Sequence, residues 1–80
     1  ALDCGCYLQT LLLALAARGV ASCPQAALRH YPRRVKASLG IPDELRIMCG
    51  VSIGYEDSSA PANRTRQPRE AVSQRVTFLD

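Results

Sequence analysis

Leu8, Leu11, Leu12, Leu15 and Ala16 recur at the three- and four-residue spacing of a helix, and Leu13, Ala14 and Ala17 fill most of the remaining sides. Apolar residues around nearly the whole circumference predict a helix within residues 3–19 that protein covers on both faces. Asp3 is expected to cap its free N–H groups, and Gly19 to end it in the left-handed conformation. Residues 24–39 predict a loop and a split helix. A short turn runs over Gln25 to His30, and Pro32 then opens a helix through Arg33 to Leu39 that Gly40 stops. Tyr31, standing before a proline, is held away from helical angles.

Ile41 to Glu44 read as a turn, and the pattern then changes period. Leu45, Ile47, Cys49, Val51, Ile53 and Tyr55 alternate with Arg46, Met48, Gly50, Ser52 and Gly54, which predicts a strand over residues 45–55. The glycines share one face, so close approach by a neighbouring element is expected there. Residues 56–80 open with the irregular surface segment "EDSSAPANRTRQP". "PREAV" is expected to make one helical turn, and "QRVTFLD" a β-prone end with no strand near it in sequence to pair with.

Eighty residues allow at most one small domain with a marginal core. The chain begins at Ala1, with no initiator Met, and runs at once into the apolar helix, so it is expected to be a piece of something longer. Within it, "CYLQTLLLALAARGVASC" imitates a secretory signal, but Asp3 stands where positive charge is needed and Arg18 interrupts the run. The run also carries Gln9 and Thr10 and is too short to span a bilayer.

The net charge of +3 points to an anionic partner. The four aromatic residues, three Tyr and one Phe, do not interleave with the basic ones as single-strand stacking platforms do, which argues against nucleic acid. Cys4, Cys6, Cys23 and Cys49 sit in helix-like or strand-like apolar surroundings and read as reduced core thiols. One C-x-C pair and the single His30 do not supply the four ligands of a structural zinc site.

Two places remain where chemistry would be found. Arg64 and Arg66 lie two apart, which in extended backbone sends both guanidinium groups to one side, where they could clamp a phosphate; solvated arginines on a loop are the other reading of the residues alone. The other place is "GVASCPQAALRHYP", residues 19–32, which has mostly small side chains and no acid, so its function is expected to belong to its backbone.

Three stretches, "DCGCYLQTLLLALAARGVASCPQ", "LGIPDELRIMCGVSIGYED" and "NRTRQPREAV", in this order and spacing resemble the FMN-dependent nitroreductases from Asp3 to about Leu79. The resemblance implies an α+β fold with an antiparallel sheet flanked by helices, working as an intertwined homodimer with FMN at the interface. It covers the C-terminal half of a single nitroreductase-like domain. The N-terminal segment with which such proteins also hold the flavin is missing. By the same resemblance Pro24, Gln25, Ala26 and Ala27 lie against the flavin ring with backbone N–H groups aimed at its N5 and O4 edge. Arg64 and Arg66 bind the FMN phosphate, with Asn63 assisting. Some relatives carry Glu-Gly where this chain has Ala26 and Ala27, so no glutamate role carries over.

The activity implied is cytoplasmic electron transfer from NAD(P)H through FMN to nitroaromatic or quinone-like acceptors. It requires no metal, no nucleic acid, no membrane and no catalytic side chain. Tyr7, His30, Tyr31 and the cysteines match no functional position and are expected to be structural. On the residues alone, a small basic module that binds an acidic partner or nucleic acid without catalysis is the other reading. A yellow protein that releases flavin on denaturation distinguishes the two.

Overall fold

The first helix, α1, spans Leu2–Ala17 in the computed structural model, which describes every residue from Ala1 to Asp80. Its N-cap is Ala1, and no side chain caps it. Asp3 lies in the first turn, where its charge complements the helix dipole without acting as the expected cap. At the other end Gly19 adopts φ 72°. Its N–H bonds Ala16 O at 3.0 Å and the Val20 N–H bonds Leu15 O at 3.0 Å, the paired bonds of a Schellman ending.

The chain then enters a strand, β1, over Ala21–Gln25, where the sequence predicted a loop from Pro24 onward. It pairs antiparallel with β2, Gly50–Gly54, in the register Ala21↔Gly54 to Gln25↔Gly50. Small polar residues and a proline carry little strand signal, so the ladder to β2 decides the conformation of β1. Pro24 is tolerated because a two-stranded ribbon has only edge strands. β2 is shorter than the alternating run, and Leu45 to Cys49 have no ladder partner.

Between the strands lie a 3-10 turn, Ala26–His30, and the helix α2, Pro32–Leu39. Pro32 opens α2 and Tyr31 is non-helical at φ −124°, ψ 49°. Gly40 ends the helix at φ 66°, and the Ile41 N–H reaches back 3.0 Å to Lys36 O. Lys36 Nζ also donates to the Asp43 carbonyl at 2.7 Å, tying the following turn to α2. Gly40→Ala puts a Cβ in the left-handed region and is expected to cost about 1–2 kcal/mol in urea unfolding of the full-length protein. An unchanged midpoint would show that the ending relaxes freely.

The close approach expected at the strand glycines occurs at one of them. A Cβ on Gly50 would run into the Leu28 side chain from the 3-10 turn, whereas Gly54 has nothing near it. Gly50→Ala should therefore destabilise by about 1 kcal/mol, since Leu28 is flexible but must move. Adding Leu28→Ala should remove the penalty of the glycine replacement, which a double-mutant cycle measures. Additive losses would show that the two residues do not meet.

After β2 come a four-residue helix, α3, over Pro61–Arg64, and a last 3-10 turn over Val72–Gln74. That turn begins within the predicted "PREAV" and extends past it, and the end of the chain forms no strand. No partner strand is present to convert the β-prone pattern of Val76, Phe78 and Leu79 into a ladder.

Leu8, Leu11, Leu12 and Leu15 form the half-buried stripe of α1, which packs against β1. The opposite side is open, with Leu13 62% exposed, so this chain does not itself bury the helix on both faces. None of the 80 residues is fully buried, and the accessible surface is 7414 Å². A compact chain of 8.7 kDa exposes about 4,700 Å². The radius of gyration of 16.6 Å likewise exceeds the ~12 Å of a compact chain of this length. Cys4, Cys6 and Cys23 are exposed and Cys49 is half-buried, all four as free thiols, so within this chain they are not core residues. No helix is long and apolar enough to cross a membrane.

Candidate functional site

The β1–β2 ribbon separates the two candidate segments. Pro24 and Gln25 end β1 opposite Val51 and Gly50, and Ala26 and Ala27 begin the 3-10 turn that follows. In a 3-10 turn each N–H bonds the carbonyl three residues back, so the first N–H groups have no partner inside it. None of the loop and cap hydrogen bonds uses the Ala26 or Ala27 N–H as donor. Two main-chain donors flanked by methyl groups therefore remain available to a bound molecule. The Gln25 side chain makes no hydrogen bond and is not needed for this arrangement.

The opposite end of the ribbon, where Ala21 pairs with Gly54, opens into a concavity of about 360 Å³. Asn63 reaches it from α3, and Tyr55 to Asp57 form its rim. Asp57 organises the chain here. Its Oδ1 accepts from the Ser59 hydroxyl at 2.6 Å and from the Ser59 N–H at 3.0 Å. Its carbonyl accepts from the Ala60 N–H at 3.1 Å and from Asn63 Nδ2 at 2.7 Å. This is the Asx turn that an Asp two residues before a Ser can form, and Pro61 then opens α3.

The hydroxyl bond from Ser59, and after it the bond from the Ser59 N–H, hold the Asp57 carboxyl below its ordinary value of 3.8. A depressed folded value gives a contribution that is fully present above the ordinary pKa and disappears as pH falls through the lower folded one. The turn is thus intact throughout the neutral range.

Arg64 and Arg66 are not the matched extended pair that the sequence predicted. Arg64 closes α3, and only from Thr65, at φ −77° and ψ 120°, is the backbone extended. The Arg64 Nη2 turns back and donates to the Ser59 carbonyl at 3.0 Å. Arg66 makes no hydrogen bond or ion pair within the chain and keeps its whole guanidinium fork free. Asp57 and Ser59 stand outside the sequence-predicted candidates, although "DSSAP" has the Asx-turn spacing.

Four rises of an extended chain put about 13 Å between the two ends of the ribbon. One molecule touching both segments must be elongated, with hydrogen-bond acceptors at one end and an anion at the other. Tyr7 lies on α1, and His30 and Tyr31 close the 3-10 turn beyond Ala26 and Ala27; none of the three makes a side-chain hydrogen bond.

Comparison with known proteins agrees on one family. The profile of the nitroreductase family matches residues 1–55. Among curated relatives, nitroreductase NfnB of Mycolicibacterium smegmatis is 45% identical over 76 residues, covering 95% of this chain and 32% of the relative. A 4-nitrobenzoate reductase of Nocardioides is 41% identical, covering 98% and 32%. The chain thus spans about a third of the length of these relatives. Among solved structures, the FMN-dependent nitroreductase NfnB of Mycobacterium smegmatis in complex with NADPH superposes with a TM-score of 0.92 at 44% identity, over 98% of this chain and 35% of that one. The FMN- and NADPH-dependent NfnB of a Sphingopyxis strain gives a TM-score of 0.91 at 36% identity, again over 98% and 35%.

Proposed function

This chain belongs to the nitroreductase family, and on that premise we propose that it carries part of the FMN site of an oxidoreductase that reduces nitroaromatic compounds with NAD(P)H. The observation that carries the proposal is the superposition over 98% of the chain on an FMN-dependent nitroreductase solved with NADPH. Relatives named for 4-nitrobenzoate reduction support a nitroaromatic acceptor, and quinone-like acceptors are the related alternative. In this reading the protein works as an intertwined homodimer in the cytoplasm. These 80 residues form the C-terminal part of its single domain.

The donor set suits a flavin mononucleotide. The Ala26 and Ala27 N–H groups, without partners inside the chain, face the acceptor edge of the ring, and Pro24 and Gln25 lie beside it. Small side chains let the backbone come close, and N–H dipoles favour the negative charge that accumulates there on reduction. Arg64 and Arg66 meet the phosphate about one ribbon length away, with Asn63 holding the turn that carries them. When bound, FMN supplies the hydride chemistry, which no side chain of this chain could provide. The protein orients the ring, keeps the N–H donors in place and excludes water.

Removing a guanidinium tests the phosphate assignment. Arg66→Ala in the full-length protein is expected to weaken FMN binding by about 1.5–3 kcal/mol, the scale of hydrogen bonds to charged groups. Fluorescence titration measures it. Unchanged affinity in both Arg66→Ala and Arg64→Ala, or a protein purified without colour that takes up no flavin, overturns the proposal.

A further inference from the structure

We propose that Asp57 is a positioning residue for the phosphate-binding segment, dividing the two arginines into one that shapes the loop and one that meets the anion. The inference rests on the phosphate reading above. The loop is built outward from Asp57. Its carboxylate holds both the hydroxyl and the N–H of Ser59, and its carbonyl takes the Ala60 N–H, which shares a peptide plane with the Ser59 carbonyl, so Asp57 secures the residue on both sides of its Cα. That carbonyl takes the Arg64 guanidinium at 3.0 Å. The Asp57 carbonyl takes Asn63 Nδ2 at 2.7 Å, so the four-residue helix is tied down from both sides. Thr65 leaves this anchored turn in extended conformation and delivers Arg66 with its fork unengaged.

The arrangement has an electrostatic reason. A carboxylate this near a phosphate site would repel the anion if it faced it. Here Oδ1 is turned onto Ser59, whose two donors neutralise part of its charge. Arg64 spends one nitrogen on Ser59, and the remainder of its guanidinium still adds positive potential beside Arg66. Direct bidentate binding is left to Arg66.

The test compares FMN with riboflavin, which has the same ring and ribityl chain and no phosphate. Affinities of both are measured by flavin fluorescence on the full-length protein carrying Asp57→Ala, Asp57→Asn, Ser59→Ala or Arg66→Ala. A phosphate-positioning role predicts that Asp57→Ala lowers FMN affinity about tenfold, one hydrogen-bond equivalent, and leaves riboflavin affinity unchanged. Asp57→Asn, which keeps an acceptor oxygen for Ser59, should restore most of the loss. Ser59→Ala removes one of the two bonds and should fall between, which keeps the test open if Asp57→Ala does not fold. Parallel weakening of FMN and riboflavin would show that Asp57 only supports the fold and would overturn the inference, as would an Asp57→Ala protein with unchanged preference for FMN. Failure of the underlying phosphate reading looks different: the unmutated protein would bind riboflavin as tightly as FMN, and Arg66→Ala would change neither.

Discussion

Ala26→Pro is expected to leave the fold and FMN binding near normal and to slow flavin reduction by NADPH about a hundredfold, the scale seen when one preorganised donor to developing charge is removed. The position makes the substitution selective. Ala26 is the first residue of the 3-10 turn, where proline is favoured because its missing N–H had no partner in the turn. Gln25, which would precede the proline, is already extended at φ −125° and ψ 99°, outside the helical region that a following proline disfavours. Nothing inside the chain loses a hydrogen bond, so a slow reduction step points to a donor used by the ligand. Gln25→Ala is the companion variant and should retain most activity, because that side chain holds nothing in place. Stopped-flow reduction at saturating NADPH measures both. Normal reduction in Ala26→Pro would remove the backbone from the site.

Residues 1–80, expressed by themselves, are expected to show no cooperative unfolding transition, no compact monomer and no tight FMN binding. The excess surface is the reason. An accessible area of 7414 Å² against about 4,700 Å² for a compact chain of this mass leaves roughly 2,700 Å² uncovered. Stable interfaces bury areas of that size. Much of the uncovered surface is apolar: Leu13 on α1, Tyr55 at 87% exposure after β2, and Phe78 and Leu79 at 78% and 90% near the last residue. A two-stranded ribbon with one half-covered helix is marginal in water. Equilibrium sedimentation, far-UV circular dichroism through a urea series and an FMN titration check the expectation together. A cooperatively folding monomer would show that α1, β1 and β2 already form a sufficient core. If that monomer also bound FMN tightly, the site would not need a second subunit.

The segments legible in the sequence are those whose signals are local. The Leu stripe and Gly19 define α1 and its ending, and Pro32 and Gly40 bracket α2. A helix boundary depends on one proline ring or one left-handed glycine, and neither needs a distant partner. The alternating run predicted β2 but overstated its length. Alternation reports that a segment can be half-buried, while a ladder exists only where a second strand lies opposite, here Gly50 to Gly54.

The tertiary structure alone decided the rest. Ala21 to Gln25 have no strand pattern, and only pairing with β2 makes them extended, which converts the predicted loop into a strand that delivers the Ala26 and Ala27 N–H groups. The two-residue spacing of Arg64 and Arg66 suggested a matched pair, yet Arg64 is helical and bonded to Ser59, because Asp57 and Pro61 impose a turn that alternation cannot foresee. The resemblance to flavin-binding proteins was readable from residue order. The placement of Ala26 and of Asn63 toward opposite ends of the ribbon was not, because that ribbon is formed by residues some thirty positions apart in the chain. Local chemistry in the sequence determines where helices start and stop, whereas a strand, and the distance it sets between two groups, depends on hydrogen bonds to another part of the chain.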